Sequence, residues 1–193
     1  MNPWIAKATV LLGSIVMIMI RAPHGQRSHQ VKVLKSRKGV REVVLLTLAW
    51  LGFFCPLFWV ATPALKFADY PLHPVPFSAG IVCLALGLWI FHRSHVDLGT
   101  NWSVTLELRD QHQLITQGTY HHIRHPMYLA LLLYSVGVAL VLPNWVAGPS
   151  YGVTFGILFA LRVGPEERMM REEFGKDYEA YMARTKRVVP RVW

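Results

Sequence analysis

The chain has 193 residues, 53% of them hydrophobic and 16% charged, with a mean hydropathy of +0.31. Its apolar residues fall in long uncharged runs rather than in amphipathic stripes, which excludes an ordinary soluble domain of this length. Twenty Lys and Arg against eleven Asp and Glu give a formal charge of +9, a balance that suits nucleic acid, a membrane surface or an acidic ligand until the charges are placed.

Each apolar run approaches the roughly 20 residues that cross a hydrocarbon core about 30 Å thick. The first, Trp4 to Ile20, has no small-residue cleavage site behind it and reads as a retained helix, not a signal peptide. The second, Val43 to Thr62, is closed by Pro63. The third, Phe77 to Phe91, stands behind Pro71, Pro74 and Pro76. A long loop follows from His92 to Tyr128, with turns at Gly99–Ser103 and Gly118 and a short extended piece at Val104 to Leu108. From His125 to Leu161 there are 37 residues without Lys, Arg, Asp or Glu. That is too long for one straight helix, and Pro143, Asn144, Gly148 and Pro149 divide it into a helical hairpin. Glu166 to Tyr181 mixes acids and bases closely and reads as an amphipathic cytoplasmic helix, and Pro190 ends any helix beyond it. The expected fold is therefore all-α: one polytopic membrane domain over residues 1–193, with about five transmembrane helices and a cytoplasmic C-terminal helix. Cys55 and Cys83 lie inside apolar runs and read as packing residues.

On this layout 18 of the 20 basic residues fall on one side, leaving only Lys7 and Lys66 on the other. The positive-inside rule puts the basic side in the cytoplasm and the N-terminus outside, in the cell membrane if the source is prokaryotic. The excess charge is then a topology signal. The partner it implies is the lipid bilayer, and no nucleic acid is required.

Chemistry concentrates in two places. Along His112–Tyr128, Pro126 is suited to the first turn of the fourth helix, with His125 extended before it. The free N–H groups of that helix start form a site for a carboxylate or phosphate. Gly118 allows close backbone approach, and Tyr120 and Tyr128 supply ring faces and hydroxyls. A capped helix with interfacial tyrosines accounts for the same residues equally well. His112, His121, His122 and His125 crowd here, but no Cys is near and consecutive histidines point apart, so no metal site is expected. The second place is Arg162–Glu167. Arg162 and Glu166 share a helix face unless Pro165 kinks the chain, and a snorkelling arginine with a solvated tail is the plainer alternative.

The pattern G-x-Y-x-x-x-R-H-P-x-Y, Gly118 to Tyr128, followed by R-x-x-x-E-E, Arg162 to Glu167, resembles the isoprenylcysteine carboxyl methyltransferase family and its phospholipid-methyltransferase relatives. Phe174–Gly175 and Tyr178 to Tyr181 extend the likeness, which covers residues 97–193; residues 1–96 are legible only as membrane helices. The resemblance implies an S-adenosylmethionine-dependent membrane methyltransferase acting on a carboxylate of a lipidic or membrane-delivered acceptor. It implies a cofactor site at His112, Leu114, Ile115, Gly118, Tyr120, His125, Pro126, Met127, Tyr128 and Glu166, with Arg162 and Glu167 as catalytic candidates. Gly164-Pro165 replaces acidic residues of eukaryotic members, which bears on the acceptor more than on the cofactor. A phospholipid-amine or small-thiol acceptor is the alternative, and would need a base such as His125 or Glu167. A nicotinamide-dependent reductase and a non-catalytic carrier are the other readings. Acids in mid-membrane would favour a carrier, and the apolar runs contain none.

Overall fold

The computed structural model describes residues 2–29, 33–36, 39–105, 107–109 and 113–189. Among the described residues there are five long helices: α1 (Pro3–His29), α2 (Val40–Ala61), α3 (Pro74–Leu98), α4 (Pro126–Val141) and α5 (Ala147–Arg184). The first three are long and apolar enough to cross a membrane, and α4 is a shorter apolar helix of 16 residues. Leu12, Met19, Leu51, Phe54, Val82 and Trp89 stand exposed on their outer faces. Such a continuous apolar exterior belongs in lipid, where helices satisfy their own backbone groups. The protein is a multi-pass membrane protein.

Apolar burial contributes little between helices in lipid, so close backbone approach matters more. Along the α3–α4 contact a side chain on Gly80 would bring its Cβ within 2.9 Å of the Gly137 carbonyl. In the middle of the bundle Tyr134 is buried, its hydroxyl 3.1 Å from Ser14 Oγ of α1 and its ring against Phe53 of α2 and Tyr151 of α5. At the end away from the basic loops, buried Asn144 closes the α4–α5 hairpin. Its Oδ1 accepts the first amides of α5, from Val146 at 3.0 Å and Ala147 at 2.7 Å, and its Nδ2 donates to Asp69 Oδ1 at 2.7 Å.

Pro23, Pro56 and Pro165 sit inside helices without ending them, and for the last two a replacement donor is in place. A proline at i leaves the carbonyl at i−4 without its helical partner. For Pro56 that carbonyl belongs to Gly52, and Ser150 Oγ of α5 donates to it at 3.1 Å. For Pro165 it belongs to Leu161, and Arg41 Nη2 donates to it at 3.3 Å. Helix α5 therefore runs on through Pro165. It breaks at Gly175, whose φ of 50° and ψ of −123° are not helical, so the stretch from there to Arg184 is a second helical segment across a kink.

Three expectations need correction. Helix α3 extends from Pro74 to Leu98, so His92 to Leu98 is helix and not loop, because nothing stops a helix from continuing into water with polar residues. Residues 166–174 continue the helix that opens at Ala147, and the break at Gly175 sets off the stretch up to Arg184, so the expected helix over 166–181 is divided between two helical segments. The helical fold also carries one antiparallel ribbon, Val33–Ser36 (β1) against Glu107–Arg109 (β2). The extended piece expected at Val104 to Leu108 overlaps β2, while β1 lies unmarked in a basic loop.

Candidate active site

Pro126 opens α4, where its missing N–H costs nothing, and His125 before it is non-helical at φ −126° and ψ 59°. No side chain caps this helix. The first-turn amides of Met127 and Tyr128 thus point into the space ahead of it.

The loop leading to that helix is clamped to the end of α3. Asp97 Oδ2 accepts from both Thr119 N and Thr119 Oγ1 at 2.8 Å. Gly118 has φ +61°, and a Cβ there would strike the Asp97 carboxylate, so both the left-handed backbone and the close approach require glycine. Tyr120 is buried beside this clamp, and its carbonyl accepts from Tyr181 Oη at 2.6 Å. Burial, with Glu166 nearby, pushes the Tyr120 phenol well above its ordinary pKa and keeps it protonated.

The chain after α5 laces the other side. Lys186 O accepts from Arg124 N at 2.8 Å and Arg187 O from His125 N at 2.9 Å. The Arg124 guanidinium in turn donates to the carbonyls of Thr185 and Met182. At the centre of this knot Glu167 is 1% exposed. It accepts from Arg124 Nε at 3.0 Å and Arg187 Nη2 at 2.8 Å, with His125 Nε2 at 3.3 Å. Burial alone would raise its pKa, but the hydrogen bonds from His125, Arg187 and Arg124 prevail and hold it well below the usual carboxylate range.

Glu166 turns the other way. Its Oε2 accepts from Tyr128 Oη at 2.5 Å and lies 3.9 Å from Arg162 Nε, and its Oε1 is 3.7 Å from His125 Nδ1. Arg162 is 9% exposed. Its Nη2 donates to Val104 O at 2.8 Å and lies 3.4 Å from Glu42 Oε1, while Nε is buried without a hydrogen-bond partner.

These groups surround one cavity of about 230 Å³. Its polar part is bounded by His125, Tyr128, Arg162 and Glu166, and its apolar part reaches Met17, Phe53 and Leu158. Of the other expected residues, Leu114, Ile115, Tyr120 and Met127 also line it. Gly118 and Pro126 shape the backbone around it without lining it, and Glu167 stands outside it within its own ion pairs. His112 lies outside the described residues. Among the described residues no group of three His, Cys, Asp or Glu is placed to hold a metal ion.

Three cavity residues or partners escaped the sequence reading: Glu42, Arg21 and Trp102. Glu42 is the single acid before Asp69, a signal that was present. Arg21 looked like one more topology charge, and Trp102 like a residue of a turn.

Residues 78–172 match the model of the isoprenylcysteine carboxyl methyltransferase (ICMT) family. A probable protein-S-isoprenylcysteine O-methyltransferase of Oryza sativa subsp. indica is 28% identical over 178 residues, covering 91% of this chain and 88% of that protein. The protein-S-isoprenylcysteine O-methyltransferase of Homo sapiens is 30% identical over 113 residues, 58% of this chain and 40% of that protein. Among solved structures, the eukaryotic intramembrane Ras methyltransferase ICMT is similar at a TM-score of 0.54 and 25% identity, covering 79% of this chain and 53% of that one. The family match takes in α3 to α5 up to Glu172, and leaves the α1 and α2 wall of the cavity outside it.

Proposed function

The chain belongs to the isoprenylcysteine carboxyl methyltransferase family, and on that premise we propose that it transfers a methyl group from S-adenosylmethionine to the carboxyl group of an S-isoprenylated cysteine or a similar membrane-delivered acceptor. One observation carries this reading: a single cavity joins an uncapped helix start, aromatic faces and a carboxylate at its polar part to an apolar part deep in the bundle.

The residues fit the cofactor by the chemistry of their donor set. The Met127 and Tyr128 amides suit its carboxylate, and Glu166 with the Tyr120 and Tyr128 rings suits a cation. Leu114 and Ile115 offer apolar cover for an adenine. When bound, S-adenosylmethionine supplies a methyl group already activated by its sulfonium. The protein's own share is then to orient, and to exclude water from an in-line displacement. Arg162 borders the acceptor, with its unpartnered Nε as a free donor. A carboxylate acceptor is already ionised near pH 7, so it needs no base. An amine or thiol does need one, and Glu167, held by two guanidiniums, is poorly suited to take a proton. We assign Glu167 as a positioning residue that fixes Arg124 and His125, and we place the cavity on the cytoplasmic side with the N-terminus outside.

The test is calorimetric titration of the detergent-purified protein with S-adenosylhomocysteine, with unfolding followed alongside. Binding and a rise in Tm are expected, because a ligand selective for the folded state stabilises it. Glu166→Gln should weaken that affinity by about tenfold, through loss of a charge-assisted contact, while Arg162→Lys should keep it and lose turnover. Folded wild-type protein that ignores millimolar ligand would sink the proposal.

A further inference from the structure

Two of the arginines lining the cavity differ in their counter-charges. Arg162 has Glu42 at 3.4 Å and Glu166 at 3.9 Å, so this trio carries no positive excess. Arg21, on α1, has no carboxylate partner among the described residues. Its guanidinium lies between two indoles, 5.3 Å from the Trp50 ring centre and 5.4 Å from that of Trp102. The indole faces hold a cation by their quadrupoles but take up none of its N–H donors.

Trp102 is itself fixed. It is buried, its Nε1 donates to Met127 Sδ at 3.1 Å, and its ring lies 4.8 Å from that of His95. Arg21 is therefore held by a residue that also touches the first turn of α4, and it lines the same cavity as Arg162.

We propose that Arg21 supplies the uncompensated guanidinium that receives the acceptor's carboxylate, facing it across the cavity together with Arg162. Arg21 thus determines specificity for an anionic acceptor, and Arg162 orients it. This rests on the carboxyl-methylation reading above. A planar guanidinium offers paired donors that match a carboxylate. Of the arginines lining the cavity, Arg124 pairs with Glu167 and Arg162 with Glu42 and Glu166, so Arg21 is the one whose charge has no carboxylate beside it among the described residues.

The experiment titrates two probes into the full-length protein in detergent with S-adenosylhomocysteine present: an N-blocked S-farnesylcysteine and its carboxamide. Wild type should prefer the carboxylate by about tenfold or more, as a charge-assisted pair gives over a neutral one. Arg21→Gln should bring that ratio close to one while leaving the affinities for the carboxamide and S-adenosylhomocysteine unchanged. Arg21→Met, which keeps an aliphatic stem between the indoles, is the second neutral variant if Arg21→Gln fails to bind S-adenosylhomocysteine. A wild-type ratio retained in a folded neutral variant overturns the role of Arg21 and leaves carboxyl methylation standing. No preference in wild type itself overturns both.

Discussion

Glu166 and Glu167 are adjacent on α5, about 100° apart around a helix of 3.6 residues per turn, and this separates a cavity wall from a structural knot. Glu166 accepts from Tyr128 and faces the cavity, whereas Glu167 is closed in by Arg124, Arg187 and His125. Glu167→Gln keeps the volume but leaves two guanidiniums without their counter-charge, and breaking a buried pair in this way costs about 3 kcal/mol or more. Thermal unfolding at pH 7 should show a clear loss of Tm; an unchanged Tm would mean the knot contributes little. The pH dependence follows from the direction of the shift. The folded carboxyl lies below its ordinary 4.5, so the stabilisation is complete above that pH and fades as pH falls toward the lower folded value. Wild type should lose stability on acidification below about pH 4.5, and Glu167→Gln should lack that component. At this scale Pro126 marked a helix start beside His125 and Tyr128, whereas Glu166 was drawn to the same place by the family resemblance and not by spacing. Arg21 and Glu42 were not legible in sequence, because their meaning depends on which helices become neighbours.

The apolar runs located α1, α2 and the α4–α5 hairpin, because crossing lipid imposes a length that composition reveals. Helix ends were less legible. A helix that leaves the membrane keeps its hydrogen bonds whatever its polarity, so charged residues do not end α3 or α5. The two prolines illustrate the same point, since whether Pro56 and Pro165 break their helices depends on Ser150 and Arg41, each more than 90 residues away in sequence. The segment after α5 was equally silent, its pairing with Ile123 to His125 being pure backbone. That segment yields a prediction. Ending the chain after Arg184 removes two backbone hydrogen bonds, at about 1 kcal/mol each, together with the Arg187 partner of Glu167. The start of α4 should then be poorly fixed. Circular dichroism should stay helical while S-adenosylhomocysteine affinity drops by about tenfold or more, the equivalent of 1.4 kcal/mol. Retained affinity would show that α4 holds its own start.

At the scale of the whole molecule, the two ends of the bundle differ in charge as well as in chemistry. The cavity end gathers Arg21, Arg124, Arg162 and Arg187 beside the loops that hold most of the basic residues. The other end is closed by Asp69, Asn144 and Trp59, with Trp59 Nε1 donating to Asp69 at 2.6 Å. Its Lys7 is engaged locally, donating to Val60 O at 3.1 Å and lying 5.4 Å from the Trp59 ring centre. Positive charge that flanks membrane helices resists translocation, and with 18 of 20 basic residues on one side the bias is strong. A charged, water-soluble cofactor must also reach its site from the compartment that holds it, so the open end and the basic end are expected to coincide. Topology reporters fused at Lys66 and after Trp193 separate the possibilities. The fusion at Lys66 should report the outside and the fusion after Trp193 the cytoplasm. A cytoplasmic signal at Lys66 together with an external one at the C-terminus would invert the bundle and place the cavity away from the cytoplasm. Cytoplasmic signals at both would mean an even number of crossings among α3, α4 and α5, leaving the orientation of α4 and α5 to be redrawn.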